Sequence, residues 1–259
     1  MTNSNAQLAD LIQRSSATVF FGGAGVSTES GIPDFRSEAG LYTAQEVYGY
    51  PPEELLSHHF FVHEPELFFR YYKENLIARE AKPNPAHLAL SQLESIGLCQ
   101  AVVTQNIDGL HQAAGSQNVI ELHGSNWRQY CLECGAKYDL DYVLDRAHCR
   151  DGVIPICRKC RGIVRPDVVL YEEGLAESVM DAAIDAIIKA ELMIVAGTSL
   201  AVYPAAGLLQ YFRGSQLVLI NLSATPYDDT ADLVIKQAIG QVMAEVMKSC
   251  GSVTRKGRR

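Results

Sequence analysis

The chain has 259 residues, 47% of them hydrophobic, and a formal net charge of −8. That length and composition can bury a sizeable core as one large or two modest domains, and the acidic balance argues against direct nucleic-acid binding, leaving the basic cluster Arg255 to Arg259 as a solvated tail. The opening stretch MTNSNAQLADLIQRSS lacks the basic-then-apolar pattern of a secretory signal, and no apolar run nears the ~18 residues of a membrane span, so a cytoplasmic protein with no membrane partner is expected.

The first predicted strand, Thr18 to Phe21, runs into FFGGAGVSTESGIPDFRS. Gly23 and Gly25 supply the first two glycines of a dinucleotide-binding G-x-G-x-x-G turn, but Thr28 occupies the place of the third. Such a turn brings backbone N–H groups and a helix N-terminus close to a pyrophosphate, although glycines after a strand also serve as plain turn residues. Beyond it, Pro33 stiffens the chain and Asp34 and Arg36 bring opposite charges. Phe35 either lies against a flat heterocycle or plugs the core beneath the loop.

Residues 37–80 carry a helical, aromatic-rich pattern (PELFFRYYKENLIARE) where a second strand is expected, and read as an insertion. The strand Ala101 to Thr104 then leads into TQNIDGLHQAAG, which sets Gln105, Asn106 and Asp108 at a strand end. Ligands of open α/β sheets bind there, while Asn and Asp equally favour turns and caps. The next strand, Val119 to Leu122, delivers His123, a candidate general base if it faces the same crevice and a structural histidine if it does not.

Residues 126–165 hold five of the seven cysteines. Cys131-x2-Cys134 and Cys157-x2-Cys160, 22 residues apart, fit two thiolate knuckles closing a tetrahedral zinc site. Four thiolates leave no open coordination position, so the zinc is expected to be structural. Cys149, beside His148, is either a spectator, as its missing x2 partner favours, or a substitute ligand; Cys99 and Cys250 read as small buried hydrophobes, and disulfides are not expected.

A helix is predicted over Glu177 to Lys189, with Val179, Met180, Ala183, Ile184, Ile187 and Ile188 on its apolar face. Strands follow at Leu192 to Ala196, Leu217 to Asn221 and Leu233 to Ile235, with Gly197, Thr198, Ser199 and Asn221 at their tips. This βα alternation gives an α/β fold, a Rossmann-like open parallel sheet made of residues 1–36, 81–125 and 166–259. The segments 37–80 and 126–165 would together form a smaller domain from a helical insert and a four-cysteine zinc module.

In order and spacing, Gly23-Ala-Gly-Val-Ser27, Gly31-Ile-Pro-Asp-Phe-Arg36, Thr104-Gln-Asn-Ile-Asp108, His123-Gly124, the two Cys-x2-Cys pairs, Gly197-Thr-Ser199 and Asn221 closely resemble the sirtuin family of NAD-dependent protein deacylases. The resemblance implies NAD as co-substrate, one structural zinc, and an acyl-lysine protein or peptide in the cleft between the domains. Carried over, Ala24, Thr28, Gln105, Ser199 and Asn221 would hold NAD, and Phe35, Ile107 and Asp108 would surround nicotinamide. Arg36 with Asp34 would order the covering loop, and Val168 to Tyr171 would pair with the substrate backbone. His123 would take a proton from a ribose hydroxyl after the acyl oxygen has displaced nicotinamide. The implied activity is lysine deacetylation, with ADP-ribosyl transfer to protein or removal of longer neutral acyl chains as alternatives. Tyr71-Tyr72-Lys73-Glu74-Asn75 lacks the Tyr-x-x-Arg pair by which desuccinylating members hold an acidic acyl group. Tyr171-Glu172-Glu173 departs from the Phe-Gly-Glu of many relatives.

Overall fold

The computed structural model describes residues 2–33 and 44–250. Three short strands, β1 (Thr18–Gly22), β2 (Ala101–Thr104) and β3 (Val119–Glu121), come first. The chain then makes an excursion through β4 (Gly124–Cys131), β5 (Lys137–Asp139), β6 (Cys149–Arg150), β7 (Ile154–Pro155) and β8 (Val164–Val168). It returns as β9 (Leu192–Ala196), β10 (Gln216–Ile220) and β11 (Leu233–Ile235). All six expected sheet strands are present, each displaced by no more than one residue at either end.

These six form one parallel sheet in the order β11-β10-β9-β1-β2-β3. The chain steps outward from β1 to β3, crosses back, and steps outward again on the other side from β9. The direction of winding therefore reverses between β1 and β9, and a crevice opens beyond their C-terminal ends.

The strands are almost uniformly aliphatic because both faces are covered. Phe20, Val102, Ile194 and Val218 pack on one side with Leu8, Ile12, Leu90, Leu93, Val242 and Val246, from the helices Asn3–Arg14, Pro85–Ser95 and Ile239–Cys250. Phe21, Val103, Val195 and Leu219 pack on the other side with Ala183, Ile187 and Leu208. The alternation of Phe20 and Phe21 follows from the two-residue side-chain period of a strand. On the helix Glu177–Ile188 the buried face is narrower than expected: Ala183 and Ile187 are fully buried, Val179, Met180 and Ile184 are partly buried, and Ile188 is 48% exposed.

A third core lies outside the sheet. It draws Leu55, Phe61, Phe68, Phe69 and Tyr72 from the first insertion and Cys131, Val143, Ile156, Cys157 and Val164 from the second. Above it β5, β4 and β8 make an antiparallel sheet, and β6 pairs with β7. Gly124, directly after His123, opens β4 with φ of 79°, and a Cβ there would meet the Asp167 carbonyl oxygen at 1.9 Å. Only glycine lets the chain turn from the parallel sheet into the small one at that point. Among the described residues no helix is long and apolar enough to cross a membrane.

Candidate active site and metal centre

At the reversal point the loops after β1 and β9 touch. Gly23 N–H donates to the Ala196 carbonyl at 3.1 Å and Gly25 N–H to the Gly197 carbonyl at 2.8 Å. A Cβ on Gly25 would lie 2.7 Å from Gly197 Cα, and Gly197 itself has φ of 60°. The two fingerprint glycines thus serve first to let two backbones meet, and their own amides are engaged within the protein. The 3-10 turn Ala24–Val26 that follows is held from below by Asn84, whose Nδ2 donates to the Val26 carbonyl at 2.7 Å and to Ser30 Oγ at 3.0 Å.

A cavity of about 460 Å³ opens beside this turn, within the size range of cofactor and ligand sites. Of the residues singled out in the sequence, Ala24, Gln105, Ile107, Asp108 and His123 line it. Thr28, Ser199 and Asn221 do not. Thr28 Oγ1 donates to the Gly25 carbonyl at 3.0 Å, Ser199 is exposed, and Asn221 Nδ2 donates to the Thr198 carbonyl at 3.0 Å. Phe35 and Arg36 lie outside the described residues.

A hydrogen-bond chain fixes the polar end. Asn106 Nδ2 donates to Ser27 Oγ at 3.1 Å, and Ser27 Oγ donates to Asp108 Oδ2 at 2.7 Å. The Leu110 amide donates to Asp108 Oδ1 at 2.9 Å. The carboxylate is thereby held in one orientation. Gln105 Nε2 reaches Thr198 Oγ1 at 3.3 Å, tying the tip of β2 to that of β9. Ser27 and Asn106 enter the site as supports of Asp108, a pairing across 81 residues that no local pattern shows.

His123 Nδ1 lies 2.8 Å from the Gln105 carbonyl oxygen. A carbonyl only accepts, so Nδ1 carries the proton, and in the neutral ring Nε2 holds the lone pair. The other histidines of the sheet are differently placed. His87 and His111 are buried with ring centroids 4.7 Å apart. Burial pushes His87 down to about 4, with the Asp108 charge opposing, and burial pushes His111 down to about 3, with His87 adding to it. Both are neutral packing residues at pH 7.

The opposite wall comes from residues outside the parallel sheet. Tyr71, Asn75 and Leu76 line it, together with the segment Val168 to Tyr171. Glu74 points elsewhere, accepting from Tyr48 Oη, while Asn75 Nδ2 donates to Tyr48 Oη at 3.0 Å. The segment after β8 is more committed than a free edge: Val169 N–H donates to the His123 carbonyl, Tyr171 N–H to the Leu56 carbonyl, and His58 N–H to the Tyr171 carbonyl. Arg165, 4% exposed, forks onto both oxygens of Glu173 at 2.6 and 3.0 Å, and Glu173 also meets His58 Nδ1 at 2.9 Å. This latch escapes local reading because its members come from two distant segments.

The metal centre matches the spacing. The sulfurs of Cys131, Cys134, Cys157 and Cys160 all lie within 4.8 Å of one another, with Cys131 to Cys160 at 3.4 Å and Cys134 to Cys157 at 3.7 Å. A tetrahedron with Zn–S of ~2.3 Å has edges of about 3.8 Å, so four thiolates in this arrangement fit zinc. Cys149 is not among them, and Cys99 and Cys250 are buried.

The Sir2 family model matches residues 23–204. The chain is 56% identical over 241 residues to an NAD-dependent protein deacetylase of Clostridium acetobutylicum, covering 93% of this chain and 97% of that one. It is 41% identical to the protein of the same description from Thermotoga maritima, covering 95% and 98%. A solved structure of Sir2 with a p53 peptide and NAD+ superposes with a TM-score of 0.84 at 40% identity, covering 95% of this chain and 98% of that one. The chain belongs to the Sir2 family.

Proposed function

We propose that this Sir2-family member is an NAD-dependent protein lysine deacetylase, releasing nicotinamide and O-acetyl-ADP-ribose from NAD and an acetyl-lysine protein or peptide. The observation that carries the reading is the placement of His123: its Nδ1 proton is held by the Gln105 carbonyl, and its ring lines the cavity shared by Asp108 and the apolar residues Leu76, Ile107 and Val168.

When bound, NAD supplies a ribose C1′ with nicotinamide as its leaving group. The protein's own part is arrangement. Ala24 with its 3-10 turn and Gln105 would hold the cofactor, and Ile107 and Asp108 would surround its nicotinamide portion. Thr28, Ser199 and Asn221, outside the cavity wall, would hold the more distant portion of the cofactor, and Phe35 and Arg36 would belong to the covering segment. Asp108, fixed by Ser27 and the Leu110 amide, offers an acceptor that does not need to reorganise. His123 Nε2 would accept a ribose hydroxyl proton, and the Gln105 carbonyl at Nδ1 would stabilise the resulting imidazolium.

The acyl-lysine side chain would enter between the sheet and the small module, which we take to be a separate domain made from residues 37–80 and 126–165. Zinc held by the four cysteines shapes that domain and takes no chemical part, since four protein ligands leave it closed. We extend the proposal to a cytoplasmic location, where reduced thiols remain available to the metal. Incubation with NAD and an acetyl-lysine peptide tests the reading. Free lysine peptide and O-acetyl-ADP-ribose in equal amounts support it, and an ADP-ribosylated protein in their place overturns it.

A further inference from the structure

Cys149 stands apart from the other cysteines. Four form the metal cluster, and Cys99 and Cys250 are sealed in the sheet core. Cys149 is half-buried on β6, and Lys73 Nζ lies 3.3 Å from its Sγ. The lysine comes from the helical insert, 76 residues earlier, and is anchored by the Val153 carbonyl at 2.8 Å. The sulfur in turn lies 3.6 Å from the Val143 carbonyl oxygen and 3.5 Å from that of Asp145. Both partners are thus held from behind, and a nitrogen nucleophile already stands at contact distance from a sulfur that no metal uses. Held proximity of this kind replaces a bimolecular encounter with an intramolecular one. Lys73 also sits in the π-helical turn Tyr72–Leu76, whose Asn75 and Leu76 line the cavity.

We propose that Lys73 and Cys149 form a reversible covalent crosslink, a sulfenamide, when the protein meets a peroxide. In the first step the Cys149 sulfur attacks one peroxide oxygen and the O–O bond breaks. The sulfur is oxidised by two electrons to a sulfenic acid, and the peroxide is reduced, leaving as water. In the second step Lys73, having given up its ammonium proton, attacks that sulfur. The S–N bond forms, the S–O bond breaks, and the hydroxide leaves with the amine proton as a second water. One thiol, one amine and one hydrogen peroxide become one sulfenamide and two waters. A low-molecular-weight dithiol reverses the link by attacking the sulfur and returning the amine. The bond joins the wall of the cavity to the outer ribbon of the metal-binding module.

The experiment treats the zinc-loaded full chain with one equivalent of hydrogen peroxide, blocks remaining thiols by alkylation, and maps the digest by mass spectrometry. The expected product is a joined peptide containing Lys73 and Cys149, lighter than its two parts by two hydrogens, lost after dithiothreitol. Lys73→Arg keeps the charge but lacks the nucleophile and is expected to give no joined peptide, with Cys149 recovered as a sulfenic acid trapped by dimedone. Cys149→Ser is expected to give neither. Wild-type Cys149 recovered unlinked, whether as thiol or in the same oxidised forms as in Lys73→Arg, overturns the proposal. Circular dichroism and zinc content establish that each variant compared is folded.

Discussion

The imidazole of His123 is oriented by Gln105, whose carbonyl oxygen receives the Nδ1 proton at 2.8 Å. The two residues stand at the tips of neighbouring strands, so the sheet itself sets the tautomer of the ring.

Replacing His123 with alanine is therefore expected to lower the rate of acetyl-lysine removal by ~10²- to 10⁴-fold, the usual worth of a general base. Thermal stability and NAD affinity are expected to stay near wild type. Steady-state turnover of an acetyl-lysine peptide, measured beside NAD titration, checks both; wild-type turnover would remove His123 from the mechanism.

Cys157→Ser is expected to lose zinc and unfold the small module. Cys157 is fully buried in the third core, so the loss reaches Ile156 and Val164 as well as the metal. Metal analysis with near-UV circular dichroism reads both effects, and full zinc retention would show that the ligand set is wrong.

Acetyl-lysine is expected to be processed far better than succinyl-lysine. Among the described residues lining the cavity there are three carboxylates, Asp108, Glu172 and Glu173, and no lysine or arginine. A succinyl carboxylate would shed its water without gaining a partner, and even ~3 kcal/mol of that cost lowers kcat/KM by about a hundredfold. Equal kcat/KM for the two peptides would refute this account of the channel.

Acid is expected to weaken the Arg165–Glu173 latch. Burial alone would raise the Glu173 carboxyl, but the Arg165 guanidinium, the Leu170 amide and the His58 ring outweigh it and hold the value down to about 2. Its folded pKa is thus below the unfolded value of ~4.3, so its contribution to stability is complete above that value and fades as pH falls toward 2. Glu173→Gln leaves the buried guanidinium without a counter-charge. It should lower Tm near neutral pH, with the gap to wild type narrowing in acid. A gap independent of pH would separate the latch from this titration.

What the sequence discloses follows the range of the interaction responsible. The six strands were legible because a sheet covered on both faces writes itself as uninterrupted aliphatic runs ending in turns. The cysteine knuckles were legible because metal geometry restricts local spacing. Ser27 as the partner of Asp108, and His58 as the partner of Glu173, were not, since the fold alone brings them together. The glycine turn points to phosphate from its sequence, whereas Gly25 also owes its identity to the backbone of Gly197, 172 residues on. On the helix Glu177–Ile188, periodicity marks the apolar face but not how deeply each position on it is buried, and Ile188 at its end is half exposed.

Tyr171 gives its amide proton to Leu56 and its carbonyl to His58, so the segment expected to meet a peptide is stitched to the helical insert through its own backbone. Peptide affinity and the seating of that insert then share a single coupling free energy. If a peptide pairs with that segment, a change that tilts the insert alters how tightly the peptide is held, and the bound peptide resists the same tilt by an equal amount.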